Sequence, residues 1–206
     1  MKHEENKMNK KIGISAVVII GICIGIIWSY QTNTKDSMDN KGHQMSSKID
    51  KKMMGKMELP DSLKQQLDNT ILTYFDIQKA LSTDDLDQAK KSSKQIMATL
   101  ITDGNTLSGH AKTLWEKETQ TLAHTLKAIQ SATTLSEARH SFEKLSVSIE
   151  RLVIHFGGPK GQRIAKYRCP MVDNNRGANW LQNSEGTQNP YYGSQMFSCG
   201  SMIKEL

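Results

Sequence analysis

Two short sulfur clusters near the C-terminal end are the residues best suited to chemistry: Cys169-Pro170-Met171 and Met196-Phe197-Ser198-Cys199. Thiolates and thioethers are soft donors, the kind that Cu(I) and Ag(I) prefer over harder cations. Zinc would more often show a second Cys or His at each end. The same cysteines suit a Cys169–Cys199 disulfide, which by loop-entropy arithmetic would stabilise the fold by roughly 3.5 kcal/mol. That bond explains the cysteines but not the methionines. A thiol enzyme ranks last, because redox catalysis uses a close Cys-x-x-Cys pair and no fixed base for a nucleophilic Cys is evident. Spacing alone leaves the metal site and the disulfide level, and no catalytic residue is assigned.

Imidazole would complete a copper site. His155 is the histidine nearest in sequence to Cys169 and joins Cys169, Met171, Met196 and Cys199 as a candidate ligand. Its alternative role is to cap a helix, since it falls in a predicted last turn. His110 and His124 are about four turns apart on one predicted helix face and read as surface residues. Trp180 is an accessory candidate, either shielding the ion through a cation–π contact or filling the core between two parts of the fold.

Which chemistry these sulfurs do depends on their compartment. The run Ile12 to Tyr30 carries no charge and would span roughly 28 Å as a helix, about the hydrocarbon thickness of a bilayer. Lys2, Lys7, Lys10 and Lys11 precede it, and uncharged residues follow, so the positive-inside rule puts residues 1–11 in the cytoplasm. The run is longer than a signal-peptide core and lacks a small-x-small cleavage site, which favours an uncleaved anchor. Cys23, in the middle of it, reads as a packed membrane residue. The expected topology is single-pass, with everything after Tyr30 outside the cytoplasm.

The net charge of +6 and pI near 9.1 do not point to nucleic acid. Beyond the Lys-rich start the basic residues are mixed with Asp, Glu and amides, and no nucleic-acid-reading pattern appears.

Residues 31–58 are polar, lack an apolar period and read as a flexible tether. Met38, His43, Met45, Met53, Met54 and Met57 within it form a candidate low-affinity soft-metal set, although methionine is also simply tolerated in a linker. Residues 59–158 carry four amphipathic periods: Leu63, Leu67, Ile71, Tyr74 and Ile77; Leu86, Ala89, Ile96, Met97 and Leu100; Ala111, Leu114, Leu122, Leu126 and Ile129; and Leu135, Ala138, Phe142, Leu145, Ile149, Leu152 and Phe156. Thr134 with Glu137 predicts a capping box, and Gly157-Gly158 a helix end. Short connections predict an antiparallel four-helix bundle. Residues 159–206, rich in Pro, Gly, Asn and aromatics, read as an irregular cap. The predicted class is all-α: a bundle with an irregular Cys/Met/aromatic cap, preceded by a single transmembrane helix.

The C-terminal segment resembles the signature of a bacterial family of uncharacterised extracytoplasmic domains, which occurs alone and also fused to periplasmic adaptors of copper/silver efflux systems of the resistance-nodulation-division type. The matching residues are Tyr167, Cys169-Pro170-Met171, Gly177-Ala178, Trp180-Leu181, Asn189-Pro190-Tyr191-Tyr192-Gly193, Met196 and Cys199-Gly200. Val172, Asn179 and Gln182 depart from the pattern, and every candidate ligand is kept. With a similar helical part, the resemblance runs from about Leu59 to the end. It implies a bacterial inner-membrane location with the C-terminal part in the periplasm, and a copper-related role, but the chain lacks the long hairpin and strand-rich barrel segments of a complete adaptor. The expectation is a non-enzymatic Cu(I)- or Ag(I)-binding protein with copper/silver efflux components as candidate partners. The competing expectation is a metal-free interaction module with a disulfide-stapled cap.

Overall fold

The computed structural model describes residues 56–206. The predicted span 12–30 and the tether residues Met38, His43, Met45, Met53 and Met54 lie outside them. Among the described residues, no helix is long and apolar enough to cross a membrane.

The four apolar periods become four long helices: α1 (Asp61–Ser82), α2 (Leu86–Thr99), α3 (Gly109–Ser131) and α4 (Leu135–Phe156). Their boundaries follow from local chemistry. Asp85 caps α2, its carboxylate accepting from the Gln88 N–H at 2.9 Å. Thr134 accepts from the Glu137 N–H at 3.2 Å, and Glu137 reaches back to the Thr133 N–H at 2.7 Å, one residue earlier than in a standard capping box. Gly157 ends α4 at φ 82°, a conformation that a side chain would strain.

Neighbouring helices run antiparallel, as their end-to-end bonds require. Gln66, early in α1, bonds the Ile101 backbone just past α2. Lys90, early in α2, donates to the Ala132 carbonyl just past α3. Glu118 of α3 pairs with Arg151 late in α4, and Arg139 early in α4 donates to the Leu81 carbonyl at the end of α1. Inside lie Leu67, Ile71, Tyr74, Trp115, Leu126, Phe142 and Ile149, all fully buried.

Residues after Gly158 hold, among their turns and loops, regular structure that their composition does not predict. Three five-residue strands, β1 (Ala165–Cys169), β2 (Ala178–Gln182) and β3 (Ser201–Glu205), form an antiparallel sheet in the order β2-β1-β3. The all-α expectation is therefore corrected to a mostly helical fold with a small sheet. The physical reason is period-two burial: Ala165, Tyr167 and Cys169 point inward while Lys166 and Arg168 point out. Segments this short between Pro and Gly give little pattern to read.

β2 packs against α4 and α1. Tyr74 marks the seam: its hydroxyl bonds Ser146 at 2.8 Å and accepts from the Leu181 N–H at 3.0 Å. A run of aromatic contacts crosses the same seam. Tyr74 stacks on Phe142 (5.3 Å), Phe142 meets Tyr191 (5.8 Å), Tyr191 meets Trp180 (6.0 Å), and Trp180 stacks on Tyr167 (5.5 Å). Each such pair adds about 0.5–1.5 kcal/mol beyond burial.

Candidate metal centre

Cys169 is the last residue of β1 and is wholly buried, paired across the ladder with Ala178. Cys199 precedes β3 and is half-buried. The ladder that sets Arg168 opposite Ser201 carries the two cysteines to adjacent places, with Sγ atoms 3.3 Å apart. The Met171 Sδ lies 3.8 Å from Cys199 Sγ. Three of the sulfurs singled out in the sequence thus converge, one from beneath and two from flanking turns.

Each turn is held by named bonds. The chain after β1 passes through Asp173, Asn174 and Asn175 with φ of 51°, 52° and 69°, left-handed conformations that Asn and Asp tolerate. Tyr192 donates from its hydroxyl to the Met171 carbonyl at 2.9 Å. On the other side, buried Asn189 organises the loop that carries Cys199. Its amide donates to the Cys199 carbonyl at 2.9 Å, its side-chain oxygen accepts from Tyr191 N–H at 2.8 Å, and its own N–H donates to Phe197 O at 2.8 Å.

Gly200, at φ 118°, lets this loop lie against β1; a Cβ there would stand 2.8 Å from the Arg168 carbonyl oxygen and 2.9 Å from the Trp180 ring. Trp180 is accordingly buried under the loop, with its indole N–H on Gln182 at 3.2 Å. It fills the space between sheet and bundle.

Met196 ends a 3₁₀ turn (Gly193–Met196), and its carbonyl accepts from the Cys199 N–H at 3.0 Å. Its side chain is exposed at the rim, beside exposed Phe197. The 3₁₀ turn is tied to the bundle through Asp84, which accepts from Ser194 N–H at 3.1 Å, from the Ser194 hydroxyl and from Arg139; Arg139 also donates to the Pro190 carbonyl at 2.9 Å. The Ser194 hydroxyl bond holds the Asp84 carboxyl below its usual range; burial opposes it, and the Arg139 bond adds to the lowering.

His155 is not brought to the sulfurs. It sits in the last turn of α4, twelve residues beyond Glu143. Glu143 pairs at 2.8 Å with Arg176 in the turn after Cys169, and twelve residues of helix span about 18 Å. The ring beside His155 is His110, at 6.1 Å. Met57 is partly buried, and its N–H donates to the His155 carbonyl at 2.7 Å.

The hydrogen bond with Cys169, then burial, raise the Cys199 thiol above its usual value. Asp84 is the neighbour that the sequence does not announce, falling there in a break between two apolar periods, whereas Asn189-Pro190 belongs to the signature and reads as part of a turn that presents Met196 and Cys199.

Residues 70–161 match the model of a family described as a protein of unknown function, DUF3347. The match takes in most of α1 and all of α2 to α4 and stops before β1. It therefore supports similarity to a family of unknown function over the helical part and does not reach the sulfur-bearing signature. Neither the curated proteins nor the solved structures give a match.

Proposed function

We propose that the protein binds a soft monovalent ion, Cu(I) or Ag(I), through Cys169, Cys199 and Met171. In this reading Met196 stands at the rim, and the chain serves copper handling, efflux or resistance from the periplasmic face of the inner membrane, anchored by residues 12–30. The observation that carries the reading is the sulfur trio, with separations of 3.3 and 3.8 Å. With metal–sulfur bonds of about 2.3 Å, two sulfurs on one ion stand about 3.8–4.0 Å apart at tetrahedral to trigonal angles. The methionine is thus already at chelating distance, and the cysteines need to part by about half an ångström. Thiolate and thioether donors without a carboxylate favour Cu(I) over Zn or Mg.

Loading replaces the thiol protons with the ion. Buried Cys169 anchors it, while Met171 and Cys199, on the exposed side, give it a way in and out. Efflux components are the natural recipients, as the resemblance of the C-terminal segment implies. The methionines of residues 31–58 would collect the ion more weakly.

A second reading draws on the same 3.3 Å approach. Loss of two electrons and two protons to an oxidant would join the thiols as a disulfide, leaving a metal-free docking module. The two states exclude each other. Anaerobic titration of the full chain with Cu(I) against a competing chelator separates them. One tightly held ion, weakened at least a hundredfold by Cys169→Ser and about tenfold by Met171→Leu, is the expected result. Unchanged affinity in Cys169→Ser sinks the ligand assignment. Thiol counting on the unfolded, air-handled protein that finds only Cys23 free would favour the module.

A further inference from the structure

Away from the sulfur trio, the last turn of α4 gathers a different set of donors. His155 and His110, the latter in the first turn of α3, come from separate helices and place their ring centres 6.1 Å apart at 76°. His110 is exposed and His155 half-buried, so solvent ions reach both. An ion bonded to an imidazole nitrogen at about 2.0–2.1 Å lies about 3.2 Å from the ring centre. Two rings on one ion at a wide angle therefore stand about 6 Å apart, and a small rotation closes them toward tetrahedral. The backbone bond from Met57 to the His155 carbonyl, 2.7 Å, fixes a thioether-bearing residue at the same helix end. Among the described residues no three His, Cys, Asp or Glu side chains converge; the thioether of Met57 is the candidate third donor beside the two imidazoles.

We propose that His110, His155 and Met57 form a second metal site, of imidazole type, that takes Cu(II). Imidazole suits borderline metals, Cu(II) heads the divalent series in affinity, and a thioether adds a donor that copper accepts more readily than harder ions do. The site is distinct from the thiolate site in oxidation state as well as place, and it stands whether or not the sulfur trio holds Cu(I).

The test uses the full chain carrying Cys23→Ser, Cys169→Ser and Cys199→Ser, which removes the trio and every thiol that would reduce the probe. CuCl₂ is added while the histidine ring signals are followed by NMR and the bound equivalents are counted. The His110 and His155 rings should broaden together. His110→Ala or His155→Ala should each remove one equivalent, His124→Ala on the same helix should remove none, and Met57→Leu should weaken that equivalent about tenfold. A sharp signal from either ring at saturation, or a full count in His110→Ala, overturns the site; unchanged affinity in Met57→Leu overturns the thioether's part in it. Because the trio is absent from this protein, its failure is read only in the separate Cu(I) titration.

Discussion

Cys199 sets how the proposed Cu(I) site loads, because its thiol is held above the usual value by Cys169 and by burial. The metal takes thiolate, so binding must expel the protons the pair holds. Apparent affinity then rises with pH, by up to a factor of about 100 per unit where two protons leave and less as Cys199 begins to ionise by itself. Chelator competition across pH 6 to 9 measures the slope, and a flat profile in wild type would remove the thiols from the ligand set. Ser at position 199 leaves one thiol to ionise and is expected to lower the slope to about tenfold per unit. Among single residues, the sulfurs were legible because Cys and Met in two tight clusters are compositionally rare. Which of them meet was not: Met171 joins the cysteine pair through its turn, Met196 approaches it through its carbonyl, and His155 belongs to the far end of α4.

At the scale of elements, the loop that presents Cys199 is fixed at two points, each testable without touching a ligand. Asn189→Ala leaves the half-buried Cys199 carbonyl and the buried Tyr191 N–H without their partners, a loss of about 2–4 kcal/mol for two groups. Denaturant unfolding should show that loss. Cu(I) affinity should fall with it, since the loop no longer holds Cys199 in place, and wild-type affinity in this variant would detach the loop from the site. Asp84→Asn tests the second point while keeping a residue that accepts the φ of 62° found there. Asp84's folded carboxyl is depressed, so its contribution is complete above its unfolded value of about 3.9 and is lost as pH falls through the folded value. The variant should therefore be less stable by about 1 kcal/mol at pH 7, with the difference from wild type shrinking as pH falls through the folded value.

The helices that carry these anchors were readable because each repeats apolar residues over several turns, from Leu63 to Ile77 and from Leu135 to Phe156. β1 to β3 are five residues each, and β3 is exposed along its whole length, so it has no inward face to read. Their pairing is set by long-range partners, α4 and Tyr74 among them, which no local pattern announces.

Across the whole molecule, the decisive feature is that sheet and helices share one seam. Tyr74 satisfies Ser146 on α4 and the Leu181 N–H on β2 with a single hydroxyl, and burial drives its own acidity well out of the physiological range. Tyr74→Phe should cost about 1–3 kcal/mol, because the Leu181 N–H is left buried without an acceptor. With the aromatic run from Tyr74 to Tyr167, this seam is expected to make helices and sheet melt as a single cooperative unit. A ligand gripped only by the C-terminal sulfurs must then stabilise the helices as well. At free Cu(I) a thousandfold above its dissociation constant, linkage adds about 4 kcal/mol, or roughly 10 °C for a domain of this size. Helical circular dichroism and the ¹⁹F NMR signal of Trp180, in otherwise wild-type protein labelled with fluorotryptophan, should melt together and shift upward together, while neither moves in Cys169→Ser. A shift confined to the Trp180 signal would mean that the sheet melts apart from the bundle, and that the hydroxyl and aromatic contacts at the seam are too weak to couple them.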